Sequence, residues 1–318
     1  VHAAARPMLS TRDFTHDAVS GWLDATTRRL LGPQAGVAFQ DMIADLWSLR
    51  RAVSQEAWRS LIARMRDHEL AGVVWQDPFL DHAFRRPRGY PGDAALLDWI
   101  YEGTAHPDAP DPHSVGGRIF RMSVHESAPG GVRWRRDHIA ARLAALGRGA
   151  RVMSLAAGHL REARLVAASG SALPRIDALD QDLRSLAEID GSLSEQPVQT
   201  WHAGVREVLN GTWEPQRTGY DLVYAAGLYD YLNDDIAAAL NARLVERTAV
   251  GGTTLVANFL PDVRGVGIME AFMDWHLIYR TGAQLEATFR SLGDAVSLET
   301  YVGPCQNVVY TAATRLRP

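Results

Sequence analysis

The stretch Val152-Met-Ser-Leu-Ala-Ala-Gly-His-Leu-Arg-Glu162 decides the fold. The strand-like Val152–Leu155 runs into a turn of small side chains at Ala156, Ala157 and Gly158, and a helix follows at once. Small residues at such a turn let a ligand lie against the backbone at the carboxyl edge of a sheet. Downstream of it, short apolar strands alternate with helices. Strands are expected at Arg175–Leu179, Val198–Trp201, Leu222–Tyr224 and Thr253–Asn258, and helices near Leu160–Ala168, Leu183–Ile189 and Asp235–Glu246. That rhythm predicts a parallel sheet with helices on both faces. Ala295–Tyr301 and Asn307–Ala313, separated by Gly303 and Pro304, read as a terminal antiparallel hairpin.

Upstream the texture is helical. Phe39, Met42, Ile43, Leu46 and Trp47 fall on one apolar stripe, and Trp58, Leu61, Ile62 and Met65 repeat the spacing behind Ser54, an N-cap candidate. Asp77 to Pro112 is rich in proline and glycine around one short helix, Ala94–Tyr101. A further helix is expected at Trp134–Leu146, stopped by Gly147. The expected organisation is a helical domain over residues 1–146 and an α/β domain over residues 147–318.

Composition narrows the chemistry. Of 318 residues, 47% are hydrophobic and 22% charged, the balance of a globular chain. No apolar run approaches the roughly 20 residues of a membrane helix. Val1–Ser10 lacks the apolar core of a signal peptide, and the single cysteine, Cys305, fits a reducing compartment, so a cytoplasmic location without membrane contact is expected. A net charge of −4 argues against a dedicated nucleic-acid binder. There is no lysine, which excludes Schiff-base chemistry and the P-loop lysine.

Asp180 stands just past the second strand of the α/β region, where an acid can accept both ribose hydroxyls of a nicotinamide or an adenosyl cofactor. Two details separate these. The turn has one glycine where a dinucleotide fingerprint has three, and Glu162 would repel a diphosphate but tolerate the cationic S-adenosylmethionine.

The segment Val152–Glu162, with Asp180-Gln-Asp182, Gly204-Val-Arg206 and Tyr220-Asp-Leu-Val-Tyr-Ala-Ala-Gly-Leu-Tyr-Asp-Tyr231, resembles the class I S-adenosylmethionine-dependent methyltransferases. Together with Arg88-Gly-Tyr-Pro-Gly-Asp93 and Asp274-Trp-His-Leu-Ile-Tyr-Arg280, it resembles more narrowly the bacterial group associated with extracellular-factor 3-hydroxypalmitic acid methyl ester biosynthesis. The resemblance runs from about Arg86 to the C-terminus. It implies a Rossmann-like methyltransferase sheet ending in an antiparallel hairpin, and S-adenosylmethionine as cofactor. It further implies that Ala156 and Gly158 line the methionine portion, Asp180 holds the ribose and Gln181 lies beside the adenine. Val205 and Arg206 would meet the adenine edge, and Ala226 and Gly227 would face the sulfonium.

Other candidates surround this set. The loop Arg88–Asp93 presents Tyr90 and Asp93, which would cover a sulfonium through ring and carboxylate; the plainer alternative makes Asp93 the N-cap of the next helix. Tyr229 is a candidate base, as is Tyr90. Trp275 and Tyr279, at i and i+4, are expected to share a helix face as part of an aromatic wall, with Arg280 holding a carboxylate. Arg133, Arg135 and Arg136 read as a solvated helix face, the alternative being that one of them binds a carboxylate. The histidines show no metal-binding spacing, and no Gly-x-Ser-x-Gly elbow occurs.

The function expected is methyl transfer from S-adenosylmethionine to a small-molecule acceptor, with the helical domain as lid and acceptor wall. Two alternatives stay open: cyclisation of the cofactor's own aminoacyl chain with release of methylthioadenosine, and a module that binds cofactor without turnover.

Overall fold

The computed structural model describes residues 16–213 and 217–317, so Val1–Ser10 lies outside the described residues. The chain forms two compact units, one running up to Gly130 together with Asp262–His276, the other comprising Gly131–Pro261 and Leu277–Pro318.

The first unit is helical. In chain order it holds α1 (His16–Leu31), α2 (Ala35–Ala52), α3 (Gln55–Asp67), α4 (Glu69–Val74), α5 (Pro78–Arg85), α6 (Ala94–Glu102) and α7 (Val115–Ser123). The stripe Phe39, Met42, Ile43 and Leu46 is buried along α2, as its spacing requires. The Ser54 side chain caps α3 by accepting from the Ala57 amide. Asp93 caps α6, accepting from the Leu96 amide at 2.8 Å. The segment Asp262–His276 adds a short helix whose Gly267 lies against α2 so closely that a Cβ would stand 2.7 Å from the Leu46 carbonyl carbon. Glu270 on the same helix accepts from Arg50 Nε at 2.7 Å and Trp58 Nε1 at 2.6 Å.

The second unit is α/β. Helix α8 (Ser127–Leu146) begins earlier than Trp134, because Pro129 and Gly130 sit in its first turn, where a proline needs no amide partner. It ends at Gly147, which is left-handed at φ 66°. Then follow β1 (Arg151–Leu155), α9 (Arg161–Ala168), β2 (Arg175–Asp180), α10 (Leu183–Ser192), β3 (Val198–His202), α11 (Val205–Asn210), β4 (Tyr220–Ala225), α12 (Asp234–Arg247) and β5 (Thr248–Phe259). After the excursion through α13 (Val266–Phe272) come α14 (Gly282–Ala287), β6 (Val296–Val302) and β7 (Val308–Arg315).

The seven strands found among the described residues form one sheet in the order β3-β2-β1-β4-β5-β7-β6. β1 to β5 pair in parallel, and β7 runs antiparallel between β5 and β6. This is the α/β, Rossmann-like sheet with a terminal hairpin that the alternation predicts. β1, β2 and β4 are buried along nearly their whole length, as befits inner parallel strands covered on both faces. The edge strand β3 is only half-buried.

One element departs from expectation. Trp275 and Tyr279 share no helix: α13 stops at Phe272, and 274–280 has no regular structure. Asp274 is left-handed at φ 48°, with its carboxylate paired to Arg66 at 3.0 Å and to Arg86. Tertiary ion pairs there override the helical spacing.

Candidate functional site

The chain runs outward from β1 to β3 and returns to β4 on the other side of β1. The carboxyl ends of β1 and β4 therefore flank a topological switch point, the place where open α/β sheets bind ligands.

The turn after β1 is tightly wound. Ala156, Gly158 and Leu160 are all left-handed, at φ 55°, 56° and 49°. For alanine and leucine that conformation costs about 1–2 kcal/mol each, so the surrounding bonds must hold it. The Ala157 amide donates to the Leu179 carbonyl at 3.0 Å. The Gly158 amide donates to Asp180 Oδ2, and the Asp182 amide to Asp180 Oδ1, both at 2.8 Å. Asp180 is 5% exposed, and burial pushes its pKa up while these two amides oppose the rise. Each carboxylate oxygen keeps a second lone pair for an incoming hydroxyl.

Gln181 is exposed beside Gly204, where a Cβ would lie 3.4 Å from the Gln181 Cβ. Gly204 starts α11, its amide donating to Glu207 Oε2 at 2.9 Å. Val205, half-buried, and Arg206, exposed, form the first turn of that helix past β3. Ala226 and Gly227 follow β4. Thus Ala156, Gly158, Asp180, Gln181, Val205, Arg206, Ala226 and Gly227 come together on one edge of the sheet.

Arg135, expected on a solvated face, is instead 6% exposed. Its Nη1 donates to the Ala226 carbonyl at 2.7 Å, and a Cβ on Gly227 would stand 3.4 Å from its Nη2. Glu162 is buried in the first turn of α9 and accepts from the Tyr224 hydroxyl at 2.6 Å; burial raises its pKa against that bond.

Two expected site residues have structural work instead. Tyr229 is fully buried, and its hydroxyl donates to Asn241 Oδ1 at 2.5 Å. Burial drives its pKa upward, so it is a poor base. Arg280 is 2% exposed, with every guanidinium nitrogen engaged inside the fold. Nε reaches Asp234 at 2.9 Å, Nη1 reaches the Tyr229 carbonyl at 2.8 Å and Asn258 Oδ1 at 2.7 Å, and Nη2 reaches the Leu232 carbonyl at 2.5 Å. It clamps the segment after β4 rather than waiting for a carboxylate.

Tyr90, Asp93 and Trp275 belong to the helical unit. Asp93 is fully buried, caps α6 and pairs with His82 Nε2 at 2.9 Å, which is the plainer of its two readings. Tyr90 is half-buried in the turn before α6, and Trp275 is buried.

Asp230, absent from the sequence reading, lies in the same quoted run as Tyr229. Its Oδ1 accepts from Asn258 Nδ2 at 2.9 Å and from the Phe259 amide at 2.7 Å. Burial pushes its pKa up to about 6, against the lowering effect of that amide, Arg135 and Arg280. Only its place beside the carboxyl edge could have drawn attention to it. Among the described residues no group of three or more histidine, cysteine or acidic side chains could hold a metal ion.

No family model and no curated protein matches this sequence. Among solved structures, a possible exported protein from Bordetella parapertussis aligns over 96% of this chain and 100% of its own, at TM-score 0.56 and 15% identity. That likeness concerns the fold alone. The N-methyltransferase NodS from Bradyrhizobium japonicum WM9, in complex with S-adenosyl-L-homocysteine, aligns over 58% of this chain and 88% of its own, at TM-score 0.43 and 12% identity. The 1,6-didemethyltoxoflavin-N1-methyltransferase of Burkholderia thailandensis aligns over 57% and 79%, at TM-score 0.42 and 16% identity. These two likenesses are too slight to bear on chemistry.

Proposed function

We propose that the chain binds S-adenosylmethionine at the β1/β4 switch point and transfers its methyl group to a small-molecule acceptor. The observation that carries this reading is the tether between Asp180 and the Gly158 amide. A dinucleotide's diphosphate needs free amides at this turn, but those of Gly158 and Asp182 are already given to a carboxylate. The Asp180 carboxylate, held by those two amides, also stands where it would oppose a diphosphate. An adenosyl ligand with a positive centre suits the same residues, and the resemblance of the motifs points to the same cofactor.

In this reading Asp180 orients the ribose, and the side-chain-poor turn at Ala156–Gly158 admits the ligand to backbone contact. Gln181, Val205 and Arg206 flank the adenine, and Ala226 and Gly227 leave room beside the reacting centre. When bound, the cofactor supplies an electrophilic carbon on a sulfonium. Alignment by these residues would account for much of the rate.

The test is an incubation with S-adenosylmethionine, with and without a metabolite extract, read by mass spectrometry. Adenosylhomocysteine that forms only with extract is the expected result. Methylthioadenosine formed from the cofactor alone would replace methyl transfer with self-cyclisation. Binding without either product would mark a non-catalytic module.

A further inference from the structure

At the carboxyl edge of the second unit, one carboxylate oxygen is left unused. Asp230 is 3% exposed; its Oδ1 takes hydrogen bonds from Asn258 Nδ2 and the Phe259 amide, and no other described residue donates to Oδ2. Its backbone is fixed, since its carbonyl accepts from the Ile278 amide at 2.7 Å. A buried carboxylate with an idle oxygen calls for a donor from elsewhere.

Two further polar groups on this edge are fully enclosed and lack a hydrogen-bond partner. Tyr310 stands in β7 opposite Ala257 of β5, fully buried, with a hydroxyl that no described residue hydrogen-bonds. It lies close enough to Asp230 and Arg135 for their charges to act on it. Asn307, just before β7, keeps an unpartnered Nδ2 beside Gly131 of α8. Each buried polar atom left without a partner calls for an explanation, and a ligand on this edge supplies one for both.

Resting on the proposed cofactor reading, we infer that Asp230, with the Tyr310 hydroxyl, receives a protonated amine of the acceptor, which makes the acceptor class an amine. An ammonium donates to Oδ2 and is attracted by the charge there, and the tyrosine hydroxyl supplies a further polar contact. When the amine gives its proton to Oδ2, the N–H electron pair stays on nitrogen as the lone pair a nucleophile needs. The proton then leaves Asp230 for water. The charged groups facing Asp230 are Arg135 of α8 and Arg280, with Tyr310 from β7. Arg280 is saturated by its own partners. Both arginines favour the ionised carboxylate, so Asp230 is charged at neutral pH.

The probes are adenosylhomocysteine and sinefungin, which differ in that sinefungin carries an amine where the cofactor carries its reactive methyl. Calorimetry at pH 7.5 should show sinefungin bound at least tenfold tighter by the unaltered chain. Asp230→Asn, which keeps an acceptor for Asn258 and Phe259, should erase that preference while leaving adenosylhomocysteine affinity within threefold. The preference should also fade as pH drops below about 6, where the carboxylate takes up a proton. Should Asp230→Asn not fold, Tyr310→Phe removes a hydroxyl without a partner and should cut the preference severalfold. Equal weakening of both ligands would place Asp230 on the cofactor's own aminoacyl group and overturn the inference, as would an unchanged preference in both variants. If the unaltered chain binds neither ligand, the cofactor reading itself has failed.

Discussion

The Gly158 amide donates to Asp180 Oδ2 at 2.8 Å, joining the turn after β1 to the end of β2. One carboxylate thereby shapes the loop and remains available to a ligand on the same edge. The bond also explains how Ala156 and Leu160 persist in a left-handed backbone that neither side chain favours.

Gly158→Val should abolish cofactor binding. The glycine sits at φ 56°, which a β-branched residue adopts only at a cost, and its amide would move away from Asp180. Isothermal titration with adenosylhomocysteine reads the effect. A folded variant that binds normally would move the ligand away from this turn.

Arg280→Met should destabilise the fold by several kcal/mol, because it strands the Asn258 oxygen and two carbonyls in the interior at about 1–3 kcal/mol each. Asp234 contributes little to this loss, being 82% exposed. Tyr229→Phe, which removes one buried hydrogen bond to Asn241, should cost about 1 kcal/mol. Urea denaturation gives both values. An Arg280→Met chain as stable as the parent, yet unable to bind ligand, would restore this arginine to the site.

Asp77 offers a pH signature in the helical unit. It is fully buried, accepting from the Phe79 amide at 2.9 Å and the Ser123 hydroxyl at 2.5 Å, and burial pushes its pKa up to about 7. The folded chain therefore holds this proton more tightly than the unfolded chain does. Its contribution to stability is greatest near pH 4 and declines as pH rises to about 7. Asp77→Asn does not ionise, so it should match the parent near pH 4 and exceed it at pH 8 by on the order of 4 kcal/mol. Urea midpoints across that range would show the two curves diverging; parallel curves would mean that Asp77 ionises freely.

The alternation of strands and helices was legible because it is local: apolar runs, capping residues such as Ser54 and Asp93, and the small-residue turn at Ala156–Gly158 act over a few positions. So was the placement of Asp180, which follows from the strand before it. What escaped depends on contacts distant in sequence. Arg135 lies among other arginines, as an exposed face would, but the chain after β4, at Ala226 and Gly227, comes against it. Trp275 and Tyr279 have helical spacing, but ion pairs at Asp274 break the helix first. Tyr229 and Arg280 sit in suggestive motifs, yet Tyr229 turns inward to Asn241, and Arg280 gives its donors to Asn258 and to the Tyr229 and Leu232 carbonyls. Asp230 carries no signature of its own, since its idle oxygen exists only once Asn258 and Phe259 have taken the other.

Calorimetric titration of S-adenosylmethionine into the unaltered chain and into Asp180→Ala tests the central claim most directly. The account predicts saturable binding by the unaltered chain and a loss of roughly 2–4 kcal/mol in a variant that stays folded, because ribose hydroxyls lose a charged, buried acceptor. No binding by the unaltered chain, or equal affinity in the two, would contradict it.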